Sequence, residues 1–226
     1  MSDKLIVAGL SSGNFQDTLK VLCLGAHSDD IEIGCGGTLL RLLGSYKQVE
    51  VTWMVFSGSK NRREEARKSA ALYLRSAHKK HVSIRTFRES YFPYEGEVIK
   101  DEFERLKRRC DPDIIFTHFR HDLHQDHQVI NSLTWNTWRN HLILEYEVPK
   151  YDGDLGAPNT FIQLEGRYCE MKVRNLMTCF GSQRPRQWFS EDTFWALLRL
   201  RGIESGTGAK YAEAFYCRKM VWRTAG

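Results

Sequence analysis

The sequence predicts an α/β fold: a three-layer sandwich with a mostly parallel central sheet. Three observations carry this. Strand-like and helix-like runs alternate about five times over the first two thirds of the chain, the order that parallel strands with right-handed helical crossovers require. The first strand-like run is short, apolar and bounded by Gly and Ala, as a buried strand is. The chain has 226 residues, 42% of them hydrophobic and 27% charged, enough to fill the core of one large domain and clothe it with an ordinary surface.

Residues 1–18 are a weakly patterned leader. Lys20–Ala26 (KVLCLGA) reads as the first strand, and Gly36–Leu43 as a helix opening on a Gly-Gly pair. Glu50–Ser57 is β-branched and aromatic, hence a second strand. Arg62–Ala77 places Ala66, Ala70, Leu74 and Ala77 on one helical face. Val82–Phe87 is a third strand, and Ile99, Phe103, Leu106 and Cys110 repeat the helical spacing. Asp113–Thr117 is a fourth strand, Asp126–Arg139 a helix and Leu142–Tyr146 a fifth strand. Pro149–Pro158 is rich in turn formers and reads as a long loop. A strand at Thr160–Leu164, helices at Tyr168–Phe180 and Glu191–Leu200, and a strand-like stretch at Tyr211–Trp222 follow. The expectation is a single domain over 1–226, with a core at 19–147 and a remainder at 148–226 that covers the sheet edge and shapes a pocket.

Composition narrows the classes. Thirty-three basic against 28 acidic residues give +5, too little to argue for nucleic acid though compatible with an anionic substrate. The basic runs Lys79-Lys80-His81 and Arg105–Arg109 read as solvated faces. Six cysteines without a CxxC pair read as reduced thiols in the cytoplasm. No apolar run approaches the ~18 residues of a membrane span, and the LIVAGL start lacks the features of a secretion signal. Homo-oligomerisation stays open.

The chemistry concentrates at two strand ends. His27-Ser28-Asp29-Asp30 follows strand one; His118 to His127 (HFRHDLHQDH) follows strand four. Open parallel sheets bind ligands beyond the carboxyl ends of their strands, where strand order reverses; in a 3-2-1-4-5 sheet that lies between strands one and four. Imidazole with carboxylate favours zinc or iron(II) over magnesium, and a catalytic zinc usually has three protein ligands and an open position. His27, Asp30 and His127 are the candidate ligands of one divalent ion. Asp29 is placed to take a proton from water. A protonated His124 could stabilise an oxyanion, with Asp126 fixing its tautomer and charge. His121 reads as exposed, His118 as a pocket wall or packed strand end, and His78, His81 and His141 as ordinary surface residues.

These residues resemble the LmbE/PIG-L family of metal-dependent N-acetyl-sugar deacetylases, whose fold is Rossmann-like. The family's AHPDD followed by GxGGT is matched by AHSDDIEIGCGGT from Ala26, and its HPDH motif by DLHQDH, Asp122–His127. Arg62-Arg-Glu-Glu65-Ala66 and Tyr211-Ala-Glu213-Ala-Phe215 match two weaker motifs. The resemblance implies ligation by His27, Asp30 and His127, a base at Asp29 that later serves as acid, a charged electrophile at His124 backed by Asp126, and substrate contacts by Arg62. His118 and Asp122 are taken as further substrate-side residues. The implied substrate is a small N-acetyl sugar or conjugate. Ser28 and Gln125 replace family prolines, which bears on loop rigidity, and Asp122 stands where some members carry tyrosine.

Other classes stay open. A metal-dependent phosphoesterase acting on a sugar phosphate or nucleotide would also place Asp and His at strand ends, with more carboxylates for two ions. A dinucleotide site at Gly34–Gly37 lacks the third glycine of its fingerprint, since position 39 is Leu. These glycines are expected instead to let the backbone approach the metal loop.

Overall fold

The computed structural model describes residues 18–221. The leader, all but its last residue, and Trp222, where the last strand was expected to end, lie outside these residues. The described chain forms a seven-stranded sheet with order β3-β2-β1-β4-β5-β7-β6. Strands β1 (Leu19–Gly25), β2 (Val49–Ser57), β3 (Lys79–Phe87), β4 (Ile114–His118) and β5 (Leu142–Tyr146) are mutually parallel. The predicted 3-2-1-4-5 order is therefore present. β6 (Thr160–Leu164) and β7 (Tyr211–Tyr216) extend the β5 edge, with β7 antiparallel to both neighbours.

Alternation along the strands feeds two cores. Val21 and Cys23 of β1 pack into a cluster with α1 (Asp30–Ser45), α2 (Lys60–Tyr73), α5 (Gly166–Cys179) and α6 (Glu191–Glu204). Leu22 and Leu24 face a second cluster with α3 (Gly96–Lys107) and α4 (Gln125–Thr137). That is the expected three-layer sandwich. β1 is apolar throughout because both its faces are covered. Among the described residues β3, at one end of the sheet, pairs only with β2, and Lys79 to Val82 are exposed.

Several boundaries differ from expectation. β3 starts at Lys79, ahead of Val82, and β7 ends at Tyr216. The largest correction is α1, which begins at Asp30 rather than Gly36. Its glycines lie inside the helix because neighbours press on it. A Cβ at Gly34 would stand 2.0 Å from the Tyr146 ring, and one at Gly37 3.0 Å from Glu213 Oε1. They admit side chains of β5 and β7, not the metal loop. Glu213, in the late YAEAF stretch, accepts the amides of Gly37 (2.9 Å) and Thr38 (2.6 Å), and the buried Lys172 ammonium donates to it at 2.5 Å. This junction locks β7 and α5 onto α1.

Phe92, Trp138 and Phe189 are core residues. Trp135 donates to Glu145 at 2.6 Å. Tyr91, Tyr94 and Tyr151 are exposed.

Candidate metal centre and active site

Two segments meet at the β1/β4 crevice. β1 ends at Gly25, and α1 starts five residues later, so His27 to Asp30 lie in the intervening turn and first helical residue. β4 ends at His118, and a loop carries Asp122 and His124 to α4, whose first turn holds Asp126 and His127. Ser28 Oγ reaches Ser57 O at 3.5 Å, and the Gln125 amide donates to Ser90 O. At both positions where prolines were expected, a polar side chain tethers the loop to the end or aftermath of a neighbouring strand.

The structure brings His27, Asp30 and His127 together. His27 Nδ1 lies 3.1 Å from His127 Nε2 and 3.4 Å from Asp30 Oδ2, and His127 Nε2 is 3.5 Å from Asp30 Oδ2. Bonds of about 2.0–2.1 Å to a tetrahedral ion separate ligand atoms by about 3.3–3.4 Å, so these three atoms have the spacing of one face of such a coordination shell. All three residues are buried.

Two more histidines come close. Donor atoms of His124, His27 and His127 fall within 4.8 Å of one another, as do those of His118, Asp30 and His127. The hydrogen bonding separates them from the triangle. His118 Nε2 already accepts the Ala26 amide at 3.0 Å. His124 Nδ1 accepts the Asp126 amide at 3.2 Å, capping α4, which leaves its proton on Nε2.

Each imidazole of the triangle has a carboxylate at its other nitrogen. Asp126 Oδ2 lies 3.1 Å from His27 Nε2, and Asp122 Oδ2 lies 2.8 Å from His127 Nδ1. Such partners orient a ligating imidazole and raise its basicity. The expectation for Asp126 is therefore corrected: its carboxylate backs His27 instead of His124, held there by the amides of Ser90 (2.6 Å) and Phe92 (3.1 Å). Asp122 and His118 are likewise not substrate-side residues. Asp122 is buried behind His127. His118 has no exposed surface, its carbonyl accepting from Asn131 and its ring packed on Tyr146.

Asp29 Oδ1 accepts from Arg62 at 2.7 Å, while its Oδ2 is buried without a hydrogen-bond partner. Burial raises the Asp29 pKa, aided by the adjacent Asp30 and opposed by Arg62. A carboxylate so placed is a stronger base than an exposed one. Arg62, in the first turn of α2, is held from its other side by Glu89 at 3.2 Å. Glu89 did not stand out in the sequence, because a lone acid after a strand carries no motif.

The buried charges of the site do not balance on their own. Asp29, Asp30, Asp122 and Asp126 are buried together, and two cations, Arg62 and Lys150, contact this group; with neutral imidazoles, four charges against two leave a balance of −2. Burial opposes ionisation of Asp30, but attraction from His127, His118 and His27 outweighs it and holds the carboxyl well below its usual range. Burial, with repulsion from His118, lowers His127 to about 3, the neutral form that a ligand needs. Burial would also lower His27, yet Asp30 and Asp126 prevail and raise it to about 10; a proton there supplies part of the missing charge. Burial and the neighbouring His27 lower His124. Both influences favour the neutral N–H donor over the charged electrophile expected from the sequence.

The comparisons with known proteins agree with this architecture. Residues 22–138, just over half of the chain, match the family model described as PIG-L: GlcNAc-PI de-N-acetylase. N,N'-diacetylchitobiose deacetylase from Pyrococcus horikoshii is similar with a TM-score of 0.64 and 22% identity, over 87% of this chain and 82% of that one. GalB, the 4-carboxy-2-hydroxymuconate hydratase from Pseudomonas putida KT2440, aligns with a TM-score of 0.71 and 15% identity, over 92% of this chain and 100% of that one. The zinc-inhibited form of teicoplanin deacetylase Orf2 aligns with a TM-score of 0.63 and 14% identity, over 87% and 97%. At such identities the likeness establishes the fold, and GalB shows that this fold also serves a hydratase.

Proposed function

The chain belongs to the PIG-L family, and from that premise we propose that it is a metal-dependent hydrolase that removes the acetyl group from an N-acetylated amino sugar or glycoconjugate. The observation that carries the reading is the His27–Asp30–His127 triangle with an unpartnered carboxylate oxygen of Asp29 in the adjacent residue. The donor set suits one zinc ion, and iron(II) accepts similar donors.

When bound, a divalent ion polarises the acetyl carbonyl and lowers the pKa of water from about 15.7 toward 7. The chain's residues do the rest. Asp29 takes the proton of the attacking water through Oδ2, with Arg62 holding Oδ1 and fixing the carboxylate plane. His124 donates from Nε2 to the oxyanion that develops on the acetyl carbonyl oxygen; one such donor is worth about 3–4 kcal/mol. Asp29 then returns the proton to the departing nitrogen, giving free amine and acetate. Asp126 and Asp122 keep His27 and His127 in the ligating orientation. Residues 1–226 act as one deacetylase domain, with 148–226 supplying one wall of the pocket.

All six cysteines are free, which suits a reducing compartment such as the cytoplasm. No helix among the described residues is long and apolar enough to cross a membrane.

The test is acetate release from a panel of N-acetyl sugars and sugar nucleotides by zinc-loaded protein. Release that tracks metal content supports the reading. Stoichiometric metal with no acetate from any panel member, or phosphate release instead, overturns it.

A further inference from the structure

We infer that Lys150 is a positioning residue that ties the loop following β5 to the metal loop, so that loop order and ion binding are linked. The inference rests on the ion site proposed above.

The loop after β5 carries Lys150 back toward the crevice. Its side chain is only 9% exposed, and its ammonium lies 3.0 Å from Asp122 Oδ2 and pairs with Asp154. A buried lysine loses hydration and rotamer freedom, and here two carboxylates from different segments compensate it. The same Asp122 oxygen meets His127 Nδ1 at 2.8 Å, while Asp122 Oδ1 accepts the His124 amide at 2.8 Å. Asp154 Oδ2 also accepts the Leu123 amide at 2.8 Å. An unbroken chain of polar contacts therefore runs from a candidate ligand through Asp122 and Lys150 to Asp154. Farther along, Gly156 is fastened by Glu147 and Arg201, each at 3.1 Å. Between the two fastenings Tyr151 stands 66% exposed, and across the Asp154 contact Leu123 is 60% exposed. The segment that presents Tyr151 is thus tied to the metal loop at two points, by Lys150 on Asp122 beside the candidate ligand and by Asp154 on the Leu123 amide.

An ion that immobilises His127 restrains Asp122, which restrains Lys150 and the loop. Coupling of this kind is reciprocal: what the ion gives the loop, the loop gives the ion.

The experiment compares wild type with Lys150→Met, following hydrogen exchange of the amides of residues 149–158 with and without one equivalent of Zn2+, and Zn2+ affinity against a competing chelator. In wild type, Zn2+ is expected to slow exchange in this segment severalfold. Lys150→Met is expected to lose that response and to bind Zn2+ about tenfold more weakly, the low end for residues that orient ligands. Lys150→Arg is expected to restore part of both. Wild-type affinity and an unchanged exchange response in Lys150→Met overturn the linkage alone. A wild-type protein that takes up no Zn2+ overturns the ion site as well. If Lys150→Met does not fold, Lys150→Gln decides: it keeps most of the side chain's length but removes the charge that pairs with Asp122, and wild-type Zn2+ affinity with a full exchange response in it overturns the proposal.

Discussion

Asp29 and Asp30 are chain neighbours with opposite electrostatic fates. Asp30 faces three imidazoles and is held ionised, as a ligand must be. Asp29 is buried beside one guanidinium and the like charge of Asp30, and its affinity for a proton rises. Surroundings alone thus set the two carboxyls apart, in the sense that the proposed ligand and proton-handling roles require. Asp29→Ala is expected to retain one metal per chain by elemental analysis while turnover falls about 10²–10⁴-fold, the usual worth of a general base; full turnover in a metal-loaded variant would remove Asp29 from this role. At this scale the sequence was informative about which residues converge and silent about what lies behind them. His27, Asp30 and His127 were legible because both segments sit at strand ends on either side of a predictable crevice. That Asp126 backs His27 and Asp122 backs His127 was not, since spacing within a loop does not say which ring nitrogen a carboxylate meets. Lys150 was hidden for a related reason: its partner Asp122 lies far along the chain, across a strand and a helix.

Among the elements, strands were read more accurately than helix starts. β1, β2, β4 and β5 are apolar runs whose burial matches their composition. The start of α1 was misread because three glycines within four residues suggest a breaker, whereas packing against Tyr146 and Glu213 overrides local propensity. Gly34→Ala would drive a methyl group into the Tyr146 ring, and Tyr146 has little room to yield because its hydroxyl donates to Leu24 O at 2.6 Å. A loss of about 1–3 kcal/mol or more is expected from such overpacking, read as a lower urea midpoint at unchanged slope. The Lys172–Glu213 junction permits a second test. Lys172→Met leaves a buried carboxylate without its cation and is expected to cost about 3–5 kcal/mol. The amides of Gly37 and Thr38 still reach Glu213, so the value should fall toward the lower end; a change below about 0.5 kcal/mol would mean the pair is not a structural lock.

For the whole molecule, the excess negative charge in the crevice makes ion binding a contribution to folding stability. A ligand at one hundred times its Kd adds about 2.7 kcal/mol, and about 2–4 °C of Tm per kcal/mol applies to chains of 150–250 residues. Zinc-saturated protein is therefore expected to melt about 5–10 °C above chelator-treated protein, and identical scans would argue against a specific ion.

The outer rim of the sheet has a consequence of its own. An unpaired strand margin offers free amides and carbonyls to any other extended chain, and β3 is such a margin. Its opening residues, Lys79 and Lys80, are exposed, so two copies approaching rim to rim would bring like charges together before any ladder could form. The basic run at the start of β3 therefore opposes rim-to-rim pairing of two copies.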